Sequence, residues 1–555
     1  MNFSKILTIT ALSLLAVNGF AQNQEEGKKK RDLGTLSGSF ETNTIFYVDD
    51  SGVPNQKVPD DIGSNNYLKA DYVKGRFSAG LQAEGYFPML YGFEQIADYH
   101  DFNLTNFYVQ WTGKNYSVTG GTFYDQFGSG LLFRAFEDRA LGVNNALLGA
   151  RVTYNLKNYL AIKGMWGKPR FGMNYNTDSQ LWGFDASLRL SELWKAKESS
   201  LSLEGSILNR YEKVCADDKG KVGSNRLGWS GRLNYELGGF MAKAEYVDNG
   251  NNAYPGEGFK HRRGNAQQLE LGYSGNGLGI MVTGRRLEWM YTHFTRDNTG
   301  LSGNIYNYIP AMSLQHTYVL ANLHPYSPLL GETGFRKNVP GEIGGQVDVF
   351  YHVKRGTKLG GKRGMKLHAN FTTYYGLQEG GSRVRTGELL LREFTFDVEK
   401  QFSRKFKMNL FYSNQERNVV HGEHLKTQLQ HIIVGDFLYK WTPKFSTRLE
   451  LQYLISNENY SMAEVGMDAK DWMSALLEVS FAPKWTIFVS DMYNHGNPNH
   501  DYRIHYYSTG VSYTHSFIRL QFNYGRNREG YVCSGGVCRK QPTYTGGNLM
   551  MTLSF

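Results

Sequence analysis

The sequence has little of what several protein classes depend on. Its 555 residues include only three cysteines and 13 prolines, too few for a disulfide scaffold or for proline-rich linkers between domains. No stretch after the first 20 residues approaches the roughly 18 consecutive apolar residues of a membrane-spanning helix. These shortages argue against a helical membrane protein and favour one large domain. The mean hydropathy of −0.47 still allows a membrane protein whose strands alternate lipid-facing and water-facing residues.

The first residues predict export from the cytoplasm. Lys5 precedes an apolar run from Ile6 to Val17, and small residues precede a cleavage site after Ala21. This pattern predicts a signal peptide at residues 1–21. Residues 22–33 then form a short basic segment, which we interpret as a solvated periplasmic tail. The net charge of +10 comes with no nucleic-acid-binding motif, and an exported chain is not expected to bind nucleic acid.

Aromatic residues make up 14% of the chain and glycines number 63, a composition that favours strands and loops. Several segments alternate charged with apolar residues, which places the charges on one face of a strand. Regular charges are costly in a dry core but not beside water. We therefore predict that these residues face a water-filled lumen: Lys366, His368, Arg448, Glu450 and Arg519.

One short pattern recurs about every 40 residues in the second half of the chain. It consists of an aromatic residue, two further residues, a lysine and a second aromatic residue. Such turns predict aromatic rings at a membrane–water boundary. The predicted girdle residues are Phe402, Phe406, Trp441, Phe445, Phe481 and Trp485.

The final segment, from Asn548 to Phe555, reads as a strand with Leu549, Met551, Leu553 and Phe555 on one face. It resembles the closing strand and assembly signal of bacterial outer-membrane barrels. We predict an all-β fold for residues 34–555, a single antiparallel up-and-down transmembrane β-barrel. The expected strand number is about 24, within a range of about 20 to 26, with short periplasmic turns and long extracellular loops.

Two connections differ from ordinary polar loops. The segment from Asp125 to Leu147 mixes apolar side chains with charges, so it can fold into the lumen and narrow it. The alternative is an extracellular loop with a structural salt bridge. The second connection, from about Tyr291 to Glu342, is long enough to plug the barrel, bind a partner or form a flexible cover. The candidate constriction residues are Asp125, Arg134, Glu137, Asp138 and Arg139.

Cys533 and Cys538 bracket a Gly-containing turn, which predicts a disulfide-closed hairpin in an oxidising compartment and leaves Cys215 free. Histidine pairs such as His421 with His424 lie in polar loops and are interpreted as solvated. No nucleophile lies beside a base in a known catalytic pattern, and no phosphate loop is present. We therefore expect no enzyme activity, metal or cofactor.

Three segments, residues 124–130, 315–318 and 533–539, together resemble a family of Bacteroidota outer-membrane proteins of unknown function. The resemblance implies a porin-like barrel in the outer membrane of a Gram-negative bacterium, but it brings no known substrate. TonB-dependent transporters are less similar, because too little chain precedes the first strand to form a plug domain.

Two functions are compatible with these patterns. The first is a channel for polar solutes whose inward loops set selectivity. The alternative is a barrel with an occluded lumen that acts as a structural or assembly partner of an outer-membrane complex. Expected partners are outer-membrane lipid and lipopolysaccharide, the barrel-assembly machinery during biogenesis, and envelope proteins that bind the extracellular loops.

Overall fold

A computed structural model describes most of the chain after residue 32. The described residues are 33–54, 56, 58, 60–93, 102–195, 198–213, 223–254, 260–295, 304–328, 341–380, 383–421, 424–457, 466–467, 469–534 and 537–555. The predicted signal peptide, the basic segment apart from Leu33, and Cys215 lie outside these residues.

The wall is a closed, antiparallel sheet of 24 strands, which confirms the predicted fold and strand number. Neighbouring strands follow one another in the chain, as in an up-and-down barrel. In chain order the strands are β1 Thr35–Val48, β2 Ile62–Lys74, β3 Phe77–Tyr86, β4 Phe102–Thr112, β5 Tyr116–Phe123, β6 Leu147–Leu156, β7 Leu160–Phe171, β8 Ser179–Arg189, β9 Ser199–Glu212, β10 Asn225–Leu237, β11 Phe240–Tyr254, β12 Lys260–Gly275, β13 Leu278–Glu288, β14 Gly341–Val353, β15 Met365–Gly380, β16 Arg383–Gln401, β17 Phe406–His421, β18 His424–Lys440, β19 Phe445–Asn457, β20 Trp472–Phe481, β21 Trp485–Tyr493, β22 Ser508–His515, β23 Ile518–Asn527 and β24 Tyr544–Ser554.

The barrel closes where β24 pairs with β1. The register runs from Ser39 opposite Ser554 to Val48 opposite Thr545. Beyond the strand, Phe555 and Gly38 exchange two backbone hydrogen bonds of 2.8 and 3.0 Å. A closed sheet leaves no free edge, so the backbone groups of the first and last strands are satisfied by each other.

The alternation within each strand separates an apolar outer face from a polar lumen face. In β19, Leu449, Leu451 and Tyr453 are exposed, whereas Glu450 and Gln452 between them are buried. Neighbouring strands repeat this arrangement because side chains alternate between the two faces. Exposed apolar residues thus cover much of the outer surface, as a lipid environment requires.

The two ends of the barrel differ in their connections. At one end, here called the turn end, most strands are joined by two to four residues, for example Gly75 and Arg76 between β2 and β3. Gly75 and Gly238 have positive φ angles of 57° and 56°, which glycine adopts without steric cost. At the other end, the loop end, the connections are longer and several fold into the lumen.

Helices are short in the described part of the chain. They comprise one α-helix, Leu190–Trp194, and one 3-10 helix, His500–Tyr502. Among the described residues, no helix is long and apolar enough to cross a membrane. The remaining short strands are Gln126–Phe127 with Phe133–Arg134, Glu137–Asp138 with Val143–Asn144, Asn174–Tyr175 with the end of β7, and Gly530–Ser534 with Val537–Gln541.

Candidate functional site

Among the described residues, we focus on three connections of the loop end that enter the lumen, and we call them plug segments. Plug segment 1 comprises residues 87–93, plug segment 2 residues 124–146, and plug segment 3 the described residues 289–295 and 304–328. Each segment carries apolar side chains that pack on lumen-facing positions of the wall. The site of interest is therefore the lumen itself, with these segments in its loop-end half.

Plug segment 1 is the shortest of the three. Its Leu90 and Phe93 pack against Ile45, Tyr47 and Tyr544, which face the lumen where β1 meets β24. The backbone N–H of Leu90 also donates to the side-chain oxygen of Asn65 on β2 (3.0 Å). The segment therefore lines the wall beside the closing seam.

Plug segments 2 and 3 share one apolar core. Phe127, Leu132 and Phe133 of segment 2 are fully buried, together with Ile309 of segment 3. Wall residues of eight strands complete this core. These wall residues are Phe123, Leu147, Met165, Leu181, Leu208, Val247, Ala266 and Leu287.

Polar contacts also join these two segments. The backbone N–H of Tyr308 donates to Gly130 (2.9 Å), and the N–H of Arg134 donates to Tyr306 (2.9 Å). The Asn145 amide donates to the carbonyl of Ile305 (2.9 Å). Where the chain leaves a strand and enters the lumen, its backbone N–H and C=O groups thus find hydrogen-bond partners in a neighbouring segment, as buried polar groups require.

Plug segment 3 continues across the lumen to the opposite wall. Leu320 and Leu323 pack on a cluster that includes Ile432, Leu454 and Trp472. His316 Nε2 lies 2.6 Å from Glu393 Oε1, and both side chains are buried. Segment 3 therefore contacts both sides of the barrel.

Tyr326 of the same segment is a hydrogen-bond donor to Glu342 at the start of β14. Burial, followed by the nearby negative charge of Glu342, raises the pKa of Tyr326 well above its ordinary value of 10.0. The hydroxyl therefore keeps its proton at neutral pH and can donate it to the carboxylate. This contact fixes the end of the described part of segment 3 to the wall.

The structure places every candidate constriction residue in plug segment 2. Asp125 accepts hydrogen bonds from Lys163 Nζ (2.5 Å) and Arg151 (3.5 Å) of the wall. Arg134 lies over the ring of Tyr308 at 3.9 Å, and Asp138 accepts from the N–H of Leu141 (3.1 Å). These contacts hold the segment in place.

The other two candidates belong to a network on β1 and β3. Glu137 Oε1 accepts from Gln82 (2.7 Å) and from Arg139 (3.2 Å). Arg139 also forms a 2.7 Å ion pair with Glu41. All five candidates therefore have partners, and their role as a constriction stays a prediction.

Sequence reasoning missed a deeply buried ion pair of the lumen. Glu84 of β3 and Arg170 of β7 form two hydrogen bonds of 2.7 and 2.8 Å, and each side chain is 2% exposed. Asn106 also accepts from Arg170 (3.2 Å). The residues are far apart in the chain, and neither position shows a local pattern that would reveal the pair.

The turn-end half of the lumen is lined by charged side chains. Arg448 lies between Asp436 and Glu450 on β18 and β19. His368 lies 2.9 Å from Asp348 and 3.2 Å from Asp397. Neighbouring strands thus carry opposite charges at the same level of the barrel.

The remaining predicted lumen residues are more exposed. Lys366 forms a 2.8 Å ion pair with Glu399, yet its side chain is 66% exposed. Arg519 is also exposed, and its register partner Thr552 shares the lumen face of β24. A cavity of about 740 Å³ opens at this end, lined by residues that include Met241, Met281 and Asp348. The turn-end lumen is therefore accessible to water.

The predicted girdle residues lie at the turn end. Phe402, Trp441, Phe481 and Trp485 are exposed. Phe445 stacks on Phe481 with ring centres 5.1 Å apart, and Phe402 stacks on Phe406 at 5.6 Å. Of the residues predicted for the closing-strand face, Leu549, Met551 and Leu553 lie within β24, which pairs with β1 and β23. Phe555 directly follows the strand.

A hairpin at the loop end carries the two cysteines predicted to form a disulfide. Cys533 and Cys538 are directly opposite each other in its register. The side chain of Cys533 lies outside the described part, so the disulfide stays a prediction. Arg539 of this hairpin lies over Phe93 at 3.9 Å and contacts the backbone of Ala140 (3.3 Å), which links plug segments 1 and 2.

Metal chemistry has no visible basis in the residues that the structure describes. Within them, no group of three or more His, Cys, Asp or Glu side chains is arranged to hold a metal ion.

The fold is similar to that of solved outer-membrane proteins at low sequence identity. An Escherichia coli P pilus tip assembly intermediate, PapC-PapD-PapK-PapG, aligns with a TM-score of 0.50 at 10% identity, covering 96% of this chain and 62% of that chain. The siderophore receptor PirA from Pseudomonas aeruginosa gives 0.40 at 8% identity, with 95% and 81% covered. Pseudomonas aeruginosa OccK3 (OpdO) gives 0.31 at 10%, with 94% and 95% covered.

Likeness at this level concerns the fold alone. Among curated proteins, none matches this chain. A match to one protein family, by contrast, extends over residues 3–555 and thus over almost the entire sequence. The chain belongs to the family described as "Family of unknown function (DUF6029)".

Proposed function

We propose that the protein lies in the outer membrane of a Gram-negative bacterium and passes small polar solutes through a lumen that its plug segments narrow. The observation that carries this proposal is the charged, water-accessible lining of the turn-end half. Lys366, Lys69 and Arg519 expose their side chains there. Charges on a barrel wall are tolerated where they face water, and they would be costly against lipid.

The pattern of charges favours passage of polar solutes without strong preference for one sign. Arg448 is paired with Asp436 and Glu450, and Glu399 with Lys366 and Lys407. Rings dominated by one charge select ions of the opposite charge. Paired cations and anions instead produce a lumen in which size and polarity decide passage.

A second function is favoured by the shared core of plug segments 2 and 3. Buried apolar side chains fix these segments to the wall, as Phe127, Leu132 and Ile309 show. A lumen filled in this way suits a barrel that serves as a structural or assembly partner of an outer-membrane complex. Its exposed loops would then make the contacts.

Conductance across planar bilayers distinguishes the two functions. The test compares the full protein with a variant in which residues 125–146 are replaced by a short Asn-Gly turn. This turn can close the gap because Phe123 and Leu147 are already paired opposite each other. Both proteins are checked for the shift in gel mobility on heating that folded barrels show.

A channel predicts discrete conductance for the full protein and a larger value for the shortened variant. A silent full protein with a conducting variant would instead support the occluded barrel. If folded preparations of both proteins are silent, the lumen does not conduct in either form and the channel proposal fails.

A further inference from the structure

Four consecutive turns at the turn end are strongly basic. They connect β14 to β15, β16 to β17, β18 to β19 and β20 to β21, and they contain no acidic residue. We call their cationic residues the basic arc. The basic arc consists of Lys354, Arg355, Lys358, Lys362, Arg363, Arg404, Lys405, Lys444 and Lys484.

The charges of the basic arc are not neutralised by the protein. All of its residues are exposed except Arg363, which is partly exposed. Within the part of the chain that the structure describes, none of them forms an ion pair. The turns between β2 and β13 are less basic, since residues 238–239 and 276–277 contain no cation at all. Positive charge is thus concentrated along one side of the rim.

The longest of these turns, residues 354–364, is held against the outer rim of the barrel. Lys400 of β16 donates to the carbonyls of Leu359 (2.8 Å) and Gly360 (2.6 Å). Lys400 belongs to the outer face of β16, because it lies an even number of positions from Phe394 and Phe396, which are exposed. The loop therefore lies on the membrane side of the rim, with Leu359 70% exposed.

The depth of the basic arc follows from its aromatic neighbours. Phe402, Trp441, Phe481 and Trp485 flank three of the four turns and are exposed on the outer surface. Aromatic belts lie at the level of the lipid head groups. Arg404 lies in the same turn as Phe402. Its side chain is therefore expected within reach of those head groups.

We propose that the basic arc binds the phosphate groups of anionic glycerophospholipids in the periplasmic leaflet. Clustered Lys and Arg side chains at a membrane surface attract anionic lipids, and guanidinium and ammonium groups are good donors to phosphate. The exposed Leu359 adds an apolar contact at the same depth. This inference does not depend on whether the lumen conducts.

Lipid retention tests the proposal. The full protein is reconstituted into vesicles of equal parts phosphatidylglycerol and phosphatidylcholine with identical acyl chains, then extracted in mild detergent. Mass spectrometry of the retained lipids gives the ratio of the two. We expect enrichment of phosphatidylglycerol, and a decrease of that enrichment at high salt, because salt screens exposed charges.

A matched pair of variants locates the effect. The arc variant carries Lys354→Gln, Arg355→Gln, Lys358→Gln and Lys362→Gln. The control variant loses the same number of exposed turn charges elsewhere on the rim, through Lys74→Gln, Arg76→Gln, Lys114→Gln and Lys157→Gln. Folding of both is verified by gel mobility on heating.

We expect the lipid ratio to decrease in the arc variant, which keeps five of the nine cations of the basic arc, and to stay unchanged in the control. No enrichment in the full protein would overturn the proposal and would point instead to an acidic protein as the partner of this surface. Equal loss of enrichment in both variants would also overturn it, because net charge would then explain binding without the basic arc.

Discussion

Neutralising Asp125 is expected to release plug segment 2 from the wall. The Asp125 carboxylate is 6% exposed and lies 2.5 Å from Lys163 Nζ on β7. It also lies 3.5 Å from Arg151 on β6. Asp125→Asn keeps the shape of the side chain but removes its charge, so Lys163 and Arg151 lose their anionic partner.

The free-energy cost expected for Asp125→Asn lies between the costs of removing one partner from an exposed ion pair and from a buried one. Removing one partner of a fully buried pair costs about 3–5 kcal/mol, and exposed pairs contribute about 1 kcal/mol or less. Because Lys163 is 22% exposed, water can solvate part of the charge left behind. We therefore expect a loss of about 2 kcal/mol in the attachment of the segment, which raises the detached population roughly 30-fold.

Hydrogen exchange measured by mass spectrometry reports this detachment. The small hairpin formed by Gln126–Phe127 and Phe133–Arg134 should exchange faster in Asp125→Asn, while peptides from the distant strand β19 stay unchanged. The matched control is Asp178→Asn, because Asp178 is 63% exposed and its distance to Lys213 is 3.9 Å. Equal exchange of the hairpin in Asp125→Asn and the unaltered protein would refute the role of this ion pair in anchoring the segment.

Three further outcomes are expected. Arg170→Met should lower the free energy of unfolding by about 3–5 kcal/mol, because it leaves the buried Glu84 charge unpaired. In urea titrations, adding Glu84→Gln to this variant should restore part of the lost stability, and no recovery of stability would contradict this explanation. The hydrogen bonds from Arg526 lower the pKa of Asp50 below its ordinary value of 3.8. The stabilisation from these bonds is therefore present above pH 3.8 and is lost as the pH falls through the lower folded-state pKa. Asp50→Asn should be less stable than the unaltered protein at pH 7 and equally stable at the acidic end, and a stability difference that does not change with pH would argue against this pKa shift. Phe555→Ala keeps the backbone bonds of the seam but removes the ring, so the folded fraction after insertion into membranes should decrease, as measured by gel mobility on heating.

The sequence alone was sufficient to predict the barrel. Alternation along β19, where Leu449 and Leu451 are exposed and Glu450 is buried, is a local pattern with a period of two residues. Turns such as Gly75 with Arg76 are equally local. Counting strands from such signals yields 24, and an even number allows the first and last strands to pair antiparallel.

The loops were harder to interpret from sequence. The mixed composition of residues 125–147 indicated an inward fold, yet it did not reveal what the charges contact. Lys163 is an ordinary lumen-facing residue of its strand, and only the curvature of the wall brings it to Asp125. The basic arc was also missed, because its turns come together only around the rim of the barrel.

Strand number, face and closure were thus determined by the sequence, because each depends on neighbours one or two positions away. The content of the lumen was decided only by the tertiary structure. Glu84 and Arg170 form their ion pair across strands that are not adjacent. His316 of plug segment 3 contacts Glu393 of the wall strand β16. Such contacts depend on how a closed wall curves around its loops, and no local period in the sequence encodes the distance between the two partners of a contact.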